Sequence, residues 1–526
     1  MYLFLRFFRP FVDPFHGHII SGDLNLISDP SLRRLFSYGT KFRPLYFIKK
    51  QIYLQKIFFF INKYVVKHSQ RFGVPISAFN HWLISVKESI NFHLNRSIPK
   101  SSYYLRKNIV APLSEIQKFF IITTVDKASN NYGFICKKLY ASLILSEINN
   151  LTFNLISVPS EKQLVDRAIT FSSKHGFPIH PSHFKLPFMF GIPKFHKSPV
   201  KCRFISSSVA TAYKTLAIII NHLLDQLLGY IVSSNPSFNF IISNSKNVIS
   251  SLKGVSIQSL ISYDFTTLYT NIDLDLLHNS IKNLIFTFWP LDHRFNYKNR
   301  YFTHSDFLDM LQFSLSNNYI KIGNNIHRQV IGIPMGASYS VNLANLFLFY
   351  YEYSFLSNFH SPHLFKYTFR YIDDLLSVNN PEIQNSISDI YPSSLTLELS
   401  NSPPFNSVNY LDLHISLNSS MKPIFSIFDK RRLYSFKILG FPHTSSNIPE
   451  QIIHNTFSGQ ILRFFGICSD NIENLFFNMD YLIDRFRNNG IELITLLDLL
   501  RKLAFRNPPL RNHIWSFIRR FHPTPT

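Results

Sequence analysis

The chain has 526 residues, long enough for several lobes with sizeable cores. Its 54 Lys and Arg against 31 Asp and Glu leave a formal charge of +23, which favours a polyanionic partner, nucleic acid above all. Three widely spaced cysteines, Cys136, Cys202 and Cys468, exclude a disulfide framework and a zinc cluster, and no uninterrupted run of about 18 apolar residues predicts a membrane span.

In chain order, residues 1–110 read as a basic, aromatic, mostly helical N-terminal extension. Lys49, Lys50, Lys56, Lys63 and Lys67 are interleaved with Tyr46, Phe47, Tyr53, Phe58, Phe59, Phe60 and Tyr64. Such a mixture suits a phosphate backbone and stacked bases, and it equally suits a helical lobe with solvated lysines. Met1 to Val12 is apolar with Arg6 and Arg9 but lacks a small-residue cleavage site, so at most it suits an organelle address.

Residues 111–255 mix strand-like and helical segments. Leu216, Ile219, Ile220, Leu223, Leu224, Leu227 and Leu228 recur at helical spacing. Ahead of them, Lys194, Lys197, Lys201 and Arg203 sit among Gly191, Pro187 and Pro193, which predicts a stiff basic loop. Such a loop grips a triphosphate or is simply solvated, and composition leaves both readings open.

Residues 256–428 carry the acidic chemistry. Ser259 to Tyr263 reads as a strand ending at Asp264, and a helix follows near Asp273 with Leu277, Ile281, Leu284 and Ile285 on one face. Gly332 to Ser338 predicts a tight loop opening a helix, with Ser338 as N-cap and Gly336 giving a nucleotide room near the backbone. Phe365, Tyr367, Phe369 and Tyr371 alternate with Lys366, Thr368 and Arg370, which predicts a strand with an aromatic face and a polar face. A hairpin tip is then expected at Asp373-Asp374, where two like charges repel unless a divalent cation joins them. Segment 377–409 reads as a connection around a short strand at Leu395 to Leu399. Beyond Asp429 the chain is basic, with Lys430, Arg431, Arg432 and Arg463 among its cations, and helical periodicity returns at Leu493, Leu496, Leu497 and Leu500.

The order of these signals says more than any one of them. Asp264 with Tyr269 five residues later, then Gly332-Ile333-Pro334-Met335-Gly336, then Tyr371-Ile372-Asp373-Asp374, resembles motifs A, B and C of reverse transcriptases. The likeness is closer to the Penelope-like retroelement enzymes, and it extends over nearly the whole chain. It includes Val125-Asp126-Lys127-Ala128, Gly191 to Lys197, Arg203-Phe204-Ile205, Leu343-Ala344-Asn345-Leu346, Tyr410-Leu411-Asp412, Ser446-Asn447-Ile448-Pro449 and Cys468-Ser469.

That resemblance implies an α+β right-hand polymerase, with fingers at 111–255, a palm with an antiparallel sheet at 256–428 and a helical thumb at 429–526. It implies catalysis by Asp264, Asp373 and Asp374. These three and Phe265 would hold two Mg²⁺ ions, for which Mn²⁺ can substitute. Two-metal sites place such ions about 3.5–4 Å apart. Lys127, Arg203, Tyr269, Met335 and Gly336 become the nucleotide contacts, with Tyr269 as the gate against a ribose 2′-hydroxyl. Lys194, Lys197, Lys430, Arg431, Arg432 and Arg463 become nucleic-acid contacts. The partners implied are an RNA template, a DNA primer and deoxynucleoside triphosphates, with intracellular, nuclear action.

Two departures stand out. Polymerases of this kind commonly carry a cation shortly after the Asp pair, yet no Lys, Arg or His lies between Asp374 and His414, and Glu398 occupies the expected place. The stretch after Ala504 is also too short for the GIY-YIG nuclease that often follows. The rival readings are a group II intron maturase-like enzyme, a decayed polymerase that only binds RNA, and a metal-dependent glycosyltransferase.

Overall fold

The computed structural model describes residues 19–20, 27, 29–43, 50–96, 110–149, 152–157, 159–197, 199–234, 239–290, 292–434, 436–468 and 470–521. The long helices α1 (Lys50–Phe72) and α2 (Asn80–Arg96) lie ahead of the mixed part of the chain. The first hairpin joins β1 (Phe120–Val125) to β2 (Ala128–Cys136), and its turn places Lys127 at φ 59°. The second joins β3 (Phe188–Lys194) to β4 (Lys201–Ser207), pairing Lys194 with Lys201. The segment expected to be a stiff basic loop is therefore a hairpin, since alternating burial at Gly191, Pro193, Phe204 and Ser206 outweighs its Gly and Pro content.

Helix α3 (Lys214–Ser234) follows the predicted apolar spacing. By length and composition it is the one described helix that could cross a membrane. In this fold Leu216, Ile219, Ile220, Leu223, Leu224 and Leu227 instead pack into the main core, each worth about 1.5–3 kcal/mol of burial.

Strand β5 (Leu260–Phe265) leads into α4 (Leu274–Phe288). Asp273 caps that helix by accepting the N–H groups of Asp275 and Leu276, both at 2.9 Å. The predicted face of Leu277, Ile281, Leu284 and Ile285 is buried. Helix α5 (Ser340–Asn358) follows, and β6 (Thr368–Tyr371) and β7 (Asp374–Val378) form the hairpin that carries the acidic pair. After α6 (Ile383–Ile390), strand β8 (Leu397–Leu399) completes a sheet of order β6-β7-β5-β8, with every pairing antiparallel. A second sheet, β9 (Ser407–Tyr410), β10 (Leu413–Leu417) and β11 (Pro423–Ile427), leads into the helices α7 (Glu450–Cys468), α8 (Ile472–Arg487), α9 (Leu493–Arg506) and α10 (Arg511–Arg519).

The acidic hairpin lies between two cores. Leu375 packs with α3, α4 and α5, whereas Phe369 and Leu376 pack with the second sheet and the C-terminal helices. This overturns the expectation of a polar strand face, because Thr368 and Arg370 are as buried as Phe369. The strand is also shorter than expected, with Phe365 closing a 3₁₀ turn before it. The tip falls one residue earlier, at Ile372-Asp373. Asp374 already pairs with Tyr371, and the left-handed φ of 57° falls on Ile372.

Arg370 is fully buried and so is its partner, Glu352 of α5. Its Nη2 donates to Glu352 Oε2 at 3.1 Å, its Nε donates to Oε1, and Nη1 donates to Asn345 Oδ1 at 2.9 Å. The Tyr391 hydroxyl donates to the same Glu352 Oε1 at 2.8 Å. Nη1 also lies 3.3 Å from the carbonyl oxygen of Ile372, the strained turn residue. Removing one member leaves the other as an uncompensated buried charge. Arg370→Ala or Glu352→Ala should each cost about 3–5 kcal/mol in urea unfolding, and Arg370→Met with Glu352→Leu should cost clearly less than either. Equal losses in all three variants would contradict this account.

Candidate polymerase active site

The site forms where β5 ends and β7 begins. Asp264 and Asp374 are direct register partners, so their side chains stand on one sheet face with Cβ atoms about 4.5–5.5 Å apart. Asp373 sits in the turn just before, and its carbonyl accepts the N–H of Phe265 at 3.0 Å. Glu398 faces Asp264 from the other side. Four carboxylates thus line one end of the sheet.

Their electrostatics record the crowding. Loss of solvation, followed by the charges of Asp373 and Asp264, pushes the Asp374 carboxyl up to about 6, while Lys430 and Lys127 pull it down. Asp264 is raised for the same first reason, then by Asp373 and Glu398, and is lowered by Lys430 and Lys127. Among the described residues, no three His, Cys, Asp or Glu side chains are gathered closely enough to hold a metal ion by themselves. An open row of hard oxygen donors fits Mg²⁺, which is usually held by one or two carboxylates and keeps waters and substrate phosphates as its other ligands. Phe265 has a buried side chain and could add only its carbonyl oxygen.

Lys127 and Arg203 approach from the hairpins β1–β2 and β3–β4. Asp126 holds them together. Its side chain is 4% exposed and its Oδ1 lies 3.4 Å from Arg203 Nη1. Its N–H donates to the Pro193 carbonyl at 3.1 Å, and its carbonyl accepts the Tyr434 hydroxyl at 2.6 Å. Desolvation, and after it the charge of Lys430, lowers the Lys127 ammonium.

The Gly332 to Gly336 loop ties the rest to this cluster. Gly332 N–H donates to the Ile272 carbonyl and Ile333 N–H to the Tyr269 carbonyl, both at 2.7 Å, which fixes the backbone under the Tyr269 ring. Burial and then Asp373 push the Tyr269 phenol up to about 12, so this ring lies within the field of the acidic row. Met335 accepts the Ser206 N–H at 2.7 Å. Gly336 has φ 122°, and a Cβ there would meet the Ser206 carbonyl oxygen at 2.3 Å. The room this glycine leaves is filled by β4. Ser338 accepts from Lys214 Nζ at 3.0 Å instead of capping α5, whose N-cap position is Tyr339 and makes no side-chain cap bond.

The expected nucleic-acid cations separate into two groups. Arg431 is paired with Asp429 at 2.8 Å and Arg463 with Asp412 at 2.7 Å. Arg432 donates to Asn478 at 2.6 Å and lies 4.5 Å from the Tyr481 ring centroid. Lys194, Lys197 and Lys430 have no carboxylate within 4.0 Å among the described residues, and of these Lys430 acts on the acidic row. Sequence reasoning missed Glu352, Asp126 as an anchor, and Tyr434. Arg370, adjacent to the Tyr-Ile-Asp-Asp tip, was visible but assigned to a polar face.

An antiparallel sheet packed on helices, its end carrying facing aspartates within the field of Lys127 and Lys430, defines the class: an α+β right-hand polymerase fold. The solved structure of telomerase from Candida albicans, in complex with a fragment of telomeric RNA, superposes with a TM-score of 0.55 at 12% identity, over 78% of this chain and 72% of that one. Apo telomerase from Candida tropicalis gives 0.45 at 10% identity over 75% and 70%, and a sicinivirus RNA-dependent RNA polymerase 0.36 at 12% over 72% and 70%. No protein-family model and no curated protein matches the sequence. Within the class, the fold of this chain is reverse-transcriptase-like.

The raised Asp374 carboxyl has a definite sign. Its charged form is disfavoured in the folded chain, so nothing is lost below the ordinary carboxyl range. Metal-free stability then falls as pH rises through about 6. Asp374→Asn should flatten that fall and raise stability at pH 8 without metal by about 1–3 kcal/mol. Urea titrations in chelator at pH 5 and pH 8 measure it, and an unchanged pH slope would refute the crowding. Gly336→Ala should cost more than about 2 kcal/mol in the same assay, because backbone oxygen cannot move aside as a side chain can.

Proposed function

We propose that the protein is an RNA-directed DNA polymerase of the Penelope-like retroelement type, acting in the nucleus on a primed RNA template. The observation that supports this most is the register pairing of Asp264 with Asp374 beside Asp373, within the field of Lys127, Lys430 and Tyr269. Asp264, Asp373, Asp374 and the Phe265 carbonyl are the residues that would hold Mg²⁺. Bound there, the metal supplies Lewis-acid activation of the primer hydroxyl and neutralises charge at the reacting phosphate.

The chain's own residues supply positioning. Lys127 and Arg203 draw the triphosphate toward the sheet end, Arg203 by its forked N–H donors and Lys127 as a point charge. The Tyr269 ring, its backbone fixed by Ile333, fills the space that a ribose 2′-hydroxyl would take. The acidic row leaves the substrate phosphates as the natural completion of the ion's shell. The group II maturase reading and the glycosyltransferase reading gain no specific support from this geometry.

The test is extension of a primed RNA by the full chain with deoxynucleotides and Mg²⁺. Asp264→Asn and Asp373→Asn should each lower the rate by roughly 10³-fold or more, the scale of several kcal/mol of lost charge stabilisation. An Asp373→Asn enzyme with wild-type extension would refute the site. Tyr269→Ala should raise ribonucleotide incorporation relative to deoxynucleotides by roughly tenfold or more, as expected when one steric contact is removed. An unaltered sugar preference would remove Tyr269 from the gate.

A further inference from the structure

The inference drawn here rests on the polymerase reading and adds a residue to it. The chain lacks a cation between Asp374 and His414, and the strand that faces Asp264 at that place presents Glu398. A departing pyrophosphate would meet a carboxylate there. The chain path offers a substitute from another element.

Tyr410, at the end of β9, directs its hydroxyl to the carbonyls of Phe369 (3.1 Å) and Asp374 (3.2 Å), which seats the second sheet against the acidic hairpin. Tyr410 pairs with Leu413, and Leu413 pairs with Ile427, the last residue of β11. Phe428 N–H then donates to the Asp412 carbonyl at 2.9 Å, so the chain leaves the sheet at this same end. Six residues later the Tyr434 hydroxyl reaches the Asp126 carbonyl, beside Lys127. The segment 428–434 therefore bridges the carboxylate side of the cleft and the triphosphate side. Lys430 stands within that span, in a short 3₁₀ turn capped by Asp429. Its side chain is exposed, and no carboxylate lies within 4.0 Å of it among the described residues, whereas Arg431 beside it is held by Asp429. Its charge acts on Asp264, on Asp374 and on Lys127 alike, as a cation over the mouth of the cleft would.

We propose that Lys430 is a catalytic residue that contacts the departing pyrophosphate and protonates it, in place of the cation absent after the Asp pair. In this step the primer O3′ forms a bond to the α-phosphorus and its proton goes to water. The bond from that phosphorus to the bridging oxygen breaks, and the electron pair stays on the pyrophosphate. The Lys430 Nζ–H proton passes to that pyrophosphate, and the neutral amine regains a proton from water.

The experiment is single-turnover incorporation of one deoxynucleotide on a primed RNA by the full chain, with primer–template affinity measured separately by fluorescence anisotropy. Lys430→Gln should lower the incorporation rate by about 10²-fold, the usual size of a lost general acid, with primer–template affinity within about twofold of wild type. Lys430→Arg keeps the charge but yields its proton poorly, and should recover only part of the rate. Weakened primer–template binding at an unchanged rate would make Lys430 a backbone contact and overturn the proposal, as would a Lys430→Gln enzyme unaltered in both respects. Since Lys430 is exposed, equal thermal midpoints for the variants and wild type are expected. Failure of the wild-type chain to extend at all would count against the polymerase reading itself.

Discussion

A buried ion pair governs the geometry of this molecule. Arg370 and Glu352 are both sealed from water, and between them they join the acidic hairpin to α5. Burying two charges costs several kcal/mol each unless every remaining donor and acceptor is met. Asn345, Tyr391 and the Ile372 carbonyl meet them here. The pair is a poor way to gain stability and a good way to fix position. Arg370 lies three residues before Asp373, so the orientation of the guanidinium sets where the turn must go. A β-branched residue at φ 57° tolerates that turn only because the structure beneath it overdetermines the path.

The same hairpin is held in register from both faces. Leu375 points to one core and Leu376 to the other, so a slip by one residue would exchange their environments and move Asp374 away from Asp264. The fold uses this rigidity to hold apart groups that repel. Asp264, Asp373, Asp374 and Glu398 would separate if the sheet end were free to fray. Packing absorbs the cost of their proximity, and the raised Asp264 and Asp374 carboxyls are its visible residue.

Much of this was legible locally. The strand leading to Asp264, the helix start near Asp273 and the apolar face of that helix all follow from residues a few places apart, and the structure reproduces them with the strand extended by one residue to Phe265. The α+β architecture was implied by the resemblance carried by the ordered motifs, and the antiparallel sheet of β5 to β8 agrees with it. The burial of Arg370 was not legible. Its alternation with aromatic residues looks like a solvated strand face, and only Glu352, eighteen residues earlier on a helix, shows otherwise. Gly336 taught a related lesson. A glycine in a loop signals close approach, but sequence cannot say that the approaching group is the Ser206 carbonyl of another hairpin. The Leu186 to Ile205 segment failed for a third reason, since Gly and Pro suggested a loop where cross-strand pairing prevailed.

The contacts least visible in the sequence are those that close the cleft. Asn131, in the hairpin that carries Lys127, donates its amide N–H to the Lys437 carbonyl and accepts the Leu439 N–H, each at 2.8 Å. Tyr434 binds the Asp126 carbonyl, and Phe436 and Ile438 pack on Val125 and Ala128. Roughly three hundred positions separate these partners, too far for any periodicity to register. Yet an amide that satisfies two main-chain groups of a neighbouring segment is a two-point fastening that resists sliding as well as separation. With Pro193 holding the Asp126 N–H on the other side, the turn bearing Lys127 has little freedom to swing. The basic groups that face the carboxylates are thus placed by the fold before any ligand arrives, and the ordering cost of binding is reduced accordingly. Two of the charged groups in the cleft share one device: Arg370, held by Glu352 and Asn345, lies three residues before Asp373, and Asp126, held through its main chain by Pro193 and Tyr434, lies next to Lys127.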